Sequence, residues 1–180
     1  MKLIVLSGPG GVGKSTVIAY LRANESNVWV SVSATTRTPR TGEINGIDYY
    51  FLLDAEFDQW IAEDKFLEWA DFAGARYGTP KQFVDQHLKD GKSVLLELEI
   101  SGARQVRAKN PEALLVFLAP PSWEELEERL LKRGTDSAER RISRLALARA
   151  EMAAQGEFDL TLINTSVEEV AQRLISLALD

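Results

Sequence analysis

Near its start the chain reads Gly8-Pro9-Gly10-Gly11-Val12-Gly13-Lys14-Ser15, which fits the pattern G-x-x-x-x-G-K-[ST]. Residues of these types at this spacing can hold a polyphosphate. Glycines let successive backbone N–H groups turn inward onto phosphate oxygens, and a helix that starts at the end of the loop adds partial positive charge. Lys14 suits a bridge between β- and γ-phosphates, and the Ser15 hydroxyl suits a share in holding Mg²⁺. An apolar run at residues 3–6 precedes the loop, and a helical pattern opening at Thr16 and ending at Asn24 follows it. That strand–loop–helix setting is what the motif needs, and it points to a nucleoside triphosphate. GTPases and ATPase motors share the loop, so the second substrate must be read elsewhere.

A second group of chemically capable residues lies between Ser33 and Thr79: Ser33, Thr35, Thr36, Arg37, Arg40, Glu43, Asp48, Tyr49, Glu68, Tyr77 and Thr79. Arg37 and Arg40 flank Pro39, which stiffens the chain between them. Each guanidinium offers a rigid donor fork for phosphate, and two of them with two tyrosyl hydroxyls can enclose a dianion. A single carboxylate, Glu68, matches a base edge with two parallel donors; guanine has one in N1–H and N2–H₂, and adenine does not. Other readings of the same residues stand beside this one. Paired arginines also suit a solvated loop, Tyr49-Tyr50-Phe51 suits strand packing, and Glu68 between Leu67 and Trp69 suits the exposed face of a strand. Two further carboxylates, Glu97 and Glu99, close an apolar run at residues 93–98, at the sheet edge where α/β folds place ligands.

These groups need a scaffold, and the patterning supplies one. Apolar runs at residues 3–6, 93–98, 114–118 and 160–163 alternate with helical segments, which argues a parallel sheet covered on both sides. Thr79-Pro80 reads as a cap and first-position proline for a helix that stops at Gly91. Ser122 with Glu125, Ser166 with Glu169, and Asp136 with Glu139 mark further helix starts, the last opening a long Arg-rich helix that stops near Gly156. Two stretches interrupt the alternation. One, about 33–79, holds short Gly-, Thr- and Tyr-rich elements and a helix at 54–63 with Phe57, Trp60 and Ile61 on one face; the other, about 127–144, is strongly charged. They read as insertions into a single domain whose core spans about 1–32, 80–126 and 145–180.

Composition narrows the class. The 180 residues are 45% hydrophobic and 27% charged, enough for a folded core. Net charge is -6, which disfavours a general nucleic-acid surface. No apolar run reaches membrane-spanning length, and the absence of cysteine excludes disulfides and thiolate metal sites, in keeping with a cytoplasmic enzyme. His87, the single histidine, reads as a surface or boundary residue, and the four tryptophans as packing.

Taken together, the motifs resemble the guanylate kinase family over essentially the whole chain. The resemblance rests on Ser33-Ala34-Thr35-Thr36-Arg37-Thr38-Pro39-Arg40-Thr41-Gly42-Glu43, Gly46-Ile47-Asp48-Tyr49-Tyr50-Phe51, Phe66-Leu67-Glu68-Trp69-Ala70, Tyr77-Gly78-Thr79-Pro80, Pro120-Pro121-Ser122 and Arg133-Gly134-Thr135-Asp136. It implies an α/β P-loop kinase fold with a small α+β GMP-binding insertion and a helical lid, transferring the γ-phosphoryl group of ATP to GMP and also to dGMP. It implies that Arg37, Arg40, Tyr49 and Tyr77 bind the GMP phosphate, that Ser33, Glu68 and Thr79 read guanine, and that Glu97 lies near GMP. By the same resemblance, Gly8 to Thr16 with Asn164 form the ATP site, and Arg129, Arg133 and Arg144 stand over the transferring group. Glu99 matches a position near the metal that is usually Asp, and Asn164-Thr165 stands where Asn-Asp is common.

Two rival readings use the same fold. A protein-interaction module built on the same fold typically lacks an intact phosphate loop, whereas Gly8, Gly13, Lys14 and Ser15 are all retained. A kinase for another phosphate monoester, such as a sugar bisphosphate, would lack the guanine readers. On the kinase reading, Lys14→Ala is expected to remove most of the turnover with ATP and GMP in a coupled ADP-release assay, and near-normal turnover would refute the role given to Lys14.

Overall fold

Strands that are apolar on both faces need helices on both sides, and the chain provides them. A computed structural model describes residues 1–25, 27–72, 74–132 and 138–179. In chain order the first elements are β1 (Leu3–Ser7), α1 (Lys14–Asn24), β2 (Val28–Val30), β3 (Ala34–Thr35), β4 (Tyr50–Phe51), α2 (Asp54–Ala62), β5 (Phe66–Phe72) and β6 (Ala75–Pro80). They are followed by α3 (Lys81–Lys89), β7 (Ser93–Glu97), α4 (Ile100–Lys109), β8 (Leu114–Ala119), α5 (Trp123–Leu131), α6 (Ala138–Ala153), a 3₁₀ turn (Ala154–Glu157), β9 (Leu160–Ile163) and α7 (Val167–Leu179).

A five-stranded sheet in the order β2-β7-β1-β8-β9 is parallel throughout. Alternate residues of its strands feed two cores. Ile4, Leu6, Leu95, Val116 and Leu118 pack with Val17, Leu21, Leu126, Ala148, Val170 and Leu174, so α1, α5, α6 and α7 cover one face. Val5, Val94, Leu96 and Leu115 pack with Val84, Ala103 and Val106, so α3 and α4 cover the other. Four of the five strands follow from apolar runs. The fifth, β2, is only three residues long and carries Trp29 between two buried valines, too short for periodicity to single out. Trp29 stacks on His87 with ring centroids 3.9 Å apart, which places the single histidine at a packed boundary.

Residues 33–79 form a second sheet, β4-β3-β6-β5, crossed by α2. Phe57, Phe66 and Ala34 are its buried centre, with Trp60, Ile61 and Trp69 packed around them, as the one-faced pattern of the helix requires. Arg76 of β6 fastens α2 through Asp54 and Asp58, and its guanidinium lies 4.8 Å from the Phe57 ring centre.

Helix ends follow the sequence signals with one correction. Ser122 and Ser166 accept from the backbone N–H of Glu125 and Glu169. Thr79, read as a helix cap, instead ends in β6 with its hydroxyl donated to Glu68; Pro80 takes the N-cap position and the helix begins at Lys81. A buried carboxylate is a stronger acceptor than a helix needs at its cap, and it captures the hydroxyl. Asp136 lies outside the described residues.

Because Phe57 is fully buried in a small separate core, Phe57→Ala is expected to cost about 3–5 kcal/mol. Urea unfolding measures that loss, and a change below about 1 kcal/mol would contradict the packing described.

Candidate active site

The phosphate loop leaves the carboxyl end of β1, the central strand of the sheet. Its glycines answer to geometry. A Cβ on Gly8 would lie 2.3 Å from the Leu118 carbonyl oxygen of neighbouring β8, and Gly13 has φ +107° with its absent Cβ 2.5 Å from Asn164 Nδ2. Gly8 therefore allows the loop to leave between two parallel strands, and Gly13 allows it to turn into α1. The loop is pinned from outside by long-range bonds. Asn164 Nδ2 donates to Val12 O at 2.7 Å, Arg129 Nη1 donates to the same oxygen at 3.4 Å, and Gly10 N–H donates to Glu151 Oε2 at 2.9 Å. Lys14 Nζ donates to Gly8 O at 2.6 Å and Pro9 O at 3.2 Å.

Across from the loop, the second sheet presents the other group. Arg37 makes a two-pronged pair with Glu43, both contacts 2.9 Å, and Glu43 Oε2 also accepts the Arg40 backbone N–H at 2.7 Å. One carboxylate thus fixes the Arg37 guanidinium and the Arg40 backbone. Arg37 also lies 5.2 Å from the Tyr49 ring centre and 5.7 Å from that of Phe51. Tyr49 and Tyr77 meet edge-on at 6.0 Å. Glu43 raises the Arg37 pKa by hydrogen bonding, with a smaller contribution from Tyr77, so the guanidinium stays charged.

Glu68 is 5% exposed, which removes the reading of a solvent-facing strand residue. Its Oε1 accepts the Thr79 hydroxyl at 2.7 Å. Burial pushes its carboxyl above the ordinary range, opposed by the Thr79 hydrogen bonds and the charge of Lys109. Thr79 itself is fully buried, so it holds Glu68 in place, while Ser33, Glu68 and Tyr77 face the cavity.

A single cavity of about 1140 Å³ joins the two groups. Gly10, Gly11, Gly13, Lys14, Ser15 and Thr16 line one wall, and Arg37, Arg40, Glu43, Tyr49, Glu68 and Tyr77 line the other. Glu97 and Glu99 sit between them, because β7 pairs with β1 and ends beside the loop. Glu97 Oε1 accepts the Ser15 hydroxyl at 3.0 Å, and its charge also reaches Tyr49, so this carboxylate stands between the phosphate loop and the arginine–tyrosine wall. Glu99 is an exposed rim residue whose carboxyl is nevertheless pushed up, first by desolvation on its cavity side and then by the Glu151 charge, with Lys14 opposing. Burial lowers the Lys14 pKa, and Glu97, Glu151 and Glu99 partly restore it.

A smaller recess of about 350 Å³ lies beyond the loop, lined by Gly11, Gly13, Thr16, Arg129, Asn164, Thr165 and Val167. Thr165 donates its hydroxyl to Glu169 at 3.3 Å. Pro9 stays in the loop as a carbonyl acceptor, and Val12 is wholly buried, so its side chain serves packing. Arg144 is half-buried on α6, and Arg133 lies outside the described residues. Glu43 and Glu151 are the participants the sequence reading left without a role. Glu43 was visible as an acid three residues from Arg40. Glu151, 141 residues from Gly10, carried no local signal.

Comparison with known proteins agrees with this arrangement. The guanylate kinase family model matches residues 1–178. A guanylate kinase of Thermobifida fusca is 60% identical over 176 residues, covering 98% of this chain and 90% of that protein. One from Streptomyces coelicolor is 58% identical over 176 residues, covering 98% and 89%. The crystal structure of guanylate kinase from Anaplasma phagocytophilum superposes with a TM-score of 0.78 at 30% identity, over 99% of this chain and 84% of that one. A phosphate loop and an arginine–tyrosine wall facing one cavity, on a sequence matched almost end to end, place the chain in the guanylate kinase family.

Proposed function

We infer that the chain is an ATP:GMP phosphotransferase, carrying the γ-phosphoryl group of ATP to the phosphate of GMP, with dGMP as a second acceptor. The observation that carries this reading is the cavity in which Lys14 faces Arg37 and Arg40. Donor and acceptor polyanions can meet there with their reacting ends between two sets of cationic and N–H donors. The acceptor is a phosphate oxygen that is already anionic near neutral pH, so no side chain must remove a proton. The Pγ–O bond to ADP breaks as the bond to the GMP oxygen forms, and the work is alignment and charge stabilisation.

Each wall has its role. The backbone N–H groups of Gly11, Gly13, Lys14 and Ser15 hold the β- and γ-phosphates, with the Lys14 ammonium across them, while the Gly10 N–H is taken by Glu151. Arg37, Arg40, Tyr49 and Tyr77 hold the GMP phosphate, and Glu43 keeps the Arg37 guanidinium aimed and the Arg40 backbone fixed. Ser33 and Glu68 meet the guanine edge, and Thr79 fixes Glu68. The recess holding Asn164 and Thr165 takes the adenine end. Arg129, Arg133 and Arg144 belong to the lid, residues 127–144 of the single domain, and cover the phosphoryl group against water. Expected localisation is cytoplasmic; among the described residues no helix is long and apolar enough to cross a membrane.

The oxygen donors Ser15, Glu97 and Glu99 at the loop fit a hard cation such as Mg²⁺, since hydroxyl and carboxylate are its preferred ligands. When bound, Mg²⁺ neutralises charge on the β- and γ-oxygens. Steady-state phosphorylation of GMP against AMP, with ATP and Mg²⁺, tests the reading as a whole: GMP is expected to be strongly preferred, and equal use of AMP would defeat it.

Glu68→Gln gives a sharper test. The substitution replaces an acceptor facing N1–H with an amide, so kcat/KM for GMP is expected to fall roughly tenfold to a hundredfold with the KM for ATP little changed. Its stability should move the other way. A carboxyl whose pKa is raised by folding costs stability while charged; that cost shrinks as pH falls through the folded pKa and is gone below the ordinary value of 4.5. The variant is therefore expected to exceed wild type in stability at pH 7, with the two converging below pH 4.5 in chemical denaturation.

A further inference from the structure

Strand β5 is the free edge of the second sheet, bonded to β6 on one side only. Its pairing with β6 is regular from Trp69 onward and shifts register between Phe66 and Trp69. Glu68 sits inside that irregular stretch. Bulges of this kind re-aim a side chain but leave backbone groups without ladder partners, so a residue aimed by one is only as fixed as whatever braces it.

Helix α4 of the core supplies the brace. Gln105 Oε1 accepts the Trp69 backbone N–H at 3.2 Å, and Gln105 Nε2 donates to Trp69 O at 2.9 Å. One side-chain amide thereby satisfies both backbone groups of one edge residue, as a neighbouring strand would. One turn on, Lys109 Nζ donates to Phe66 O at 3.1 Å, so both ends of the irregular stretch are fastened to α4. One turn back lies Gly102, buried, where an added Cβ would stand 2.8 Å from Glu68 Oε2 and 3.4 Å from Leu98 Cβ. Glu68 has little room to yield, because its other oxygen is bonded to buried Thr79. Gly102, Gln105 and Lys109 fall on one helix face by their spacing of three and four.

We propose that Gln105 and Gly102 are positioning residues for base selection: the Gln105 amide acts as a substitute strand that locks the β5 bulge to the core, and Gly102 leaves the space into which Glu68 is aimed. This rests on Glu68 reading the guanine edge. Two donors on a base demand two acceptor oxygens fixed in plane, and a displacement near 1 Å is enough to cost on the order of a hundredfold. Gln105 does not line the cavity; Gly102 does, and acts there through the room it leaves for Glu68.

The test measures kcat and KM for GMP, for IMP (which lacks the N2 amine) and for ATP, in wild type, Gln105→Ala, Gln105→Glu, Gly102→Ala and Glu68→Gln. Gln105→Glu keeps an acceptor for Trp69 N–H and loses the donor to Trp69 O, so it can be read even if the alanine variant does not fold. The expected result is a fall of about tenfold or more in the GMP-to-IMP ratio of kcat/KM, carried by the GMP KM, with the ATP KM within about twofold of wild type. Selectivity lost in Glu68→Gln but kept in the Gln105 and Gly102 variants would overturn the brace alone, and a lowered Tm without a selectivity change would do the same. Selectivity kept in Glu68→Gln would overturn both the base-reading role and the brace built on it.

Discussion

A loop that binds phosphate through its backbone must keep N–H groups pointing inward although its glycines permit many other shapes, and the bonds of Lys14 to Gly8 O and Pro9 O hold it only in part. This constraint governs the rest of the fold. Glycine gives the loop access to the conformation, at a cost in conformational freedom, and it does not choose the conformation. The choice is made by distant groups: the Asn164 amide on Val12 O, the Glu151 carboxylate on Gly10 N–H, and the Leu118 carbonyl that leaves no space beside Gly8. They come from the β9–α7 turn, from α6 and from β8. The parallel sheet brings all three to the end of β1 because its order puts β8 and β9 on one side of the central strand and β7 on the other.

The electrostatics of the cavity are balanced by design of the same sheet edge. A site for two polyanions would be expected to hold only cations, yet Glu43, Glu68, Glu97 and Glu99 all line it. Each has a separate reason. Glu43 pairs with the Arg37 guanidinium and accepts the Arg40 backbone N–H, so it orders the segment that carries both cations. Glu68 is buried with its hydroxyl partner, and in the proposed complex it meets a base instead of a phosphate. Glu97 accepts from Ser15, and Glu99 with Glu97 and Glu151 offsets the desolvation of Lys14. Removing these acids would raise the net positive charge and lose the aim of the cations, and aim is what phosphoryl transfer needs most.

The parts of this arrangement that were legible in the sequence are those encoded locally. The phosphate loop is contiguous, the apolar runs of β1, β7, β8 and β9 are each long enough to show, and Ser122 and Ser166 announce their helices within three residues. Arg37, Arg40, Tyr49, Glu68 and Tyr77 were legible as a set through their ordered motifs, and the cavity gathers them. Three residues have partners that no local signal announced, so packing changes how each is held: Thr79, expected to cap a helix, serves Glu68; Glu97 meets Ser15; and Asn164, lining the smaller recess, also gives its amide to the loop. Each change comes from a partner 11, 82 or 152 residues away. Glu151 and Gln105 were silent for the same reason, since nothing within a helical turn of either distinguishes it from an ordinary polar surface residue.

Helix α6 joins two of these features in one rigid body. Arg144 and Glu151 are seven residues apart on it, close to two full turns and therefore on the same side, separated by about 10 Å along the axis. Swinging the guanidinium end cannot leave the carboxylate end still, so any tilt of this rod tugs on the Gly10 amide. A ligand that shifted the Gly10 amide would bias the rod's angle, and by reciprocity a shift of the rod would bias the ligand's affinity. Between the two, Ala148 is buried in the main core, so the stretch that carries both side chains is anchored to the sheet.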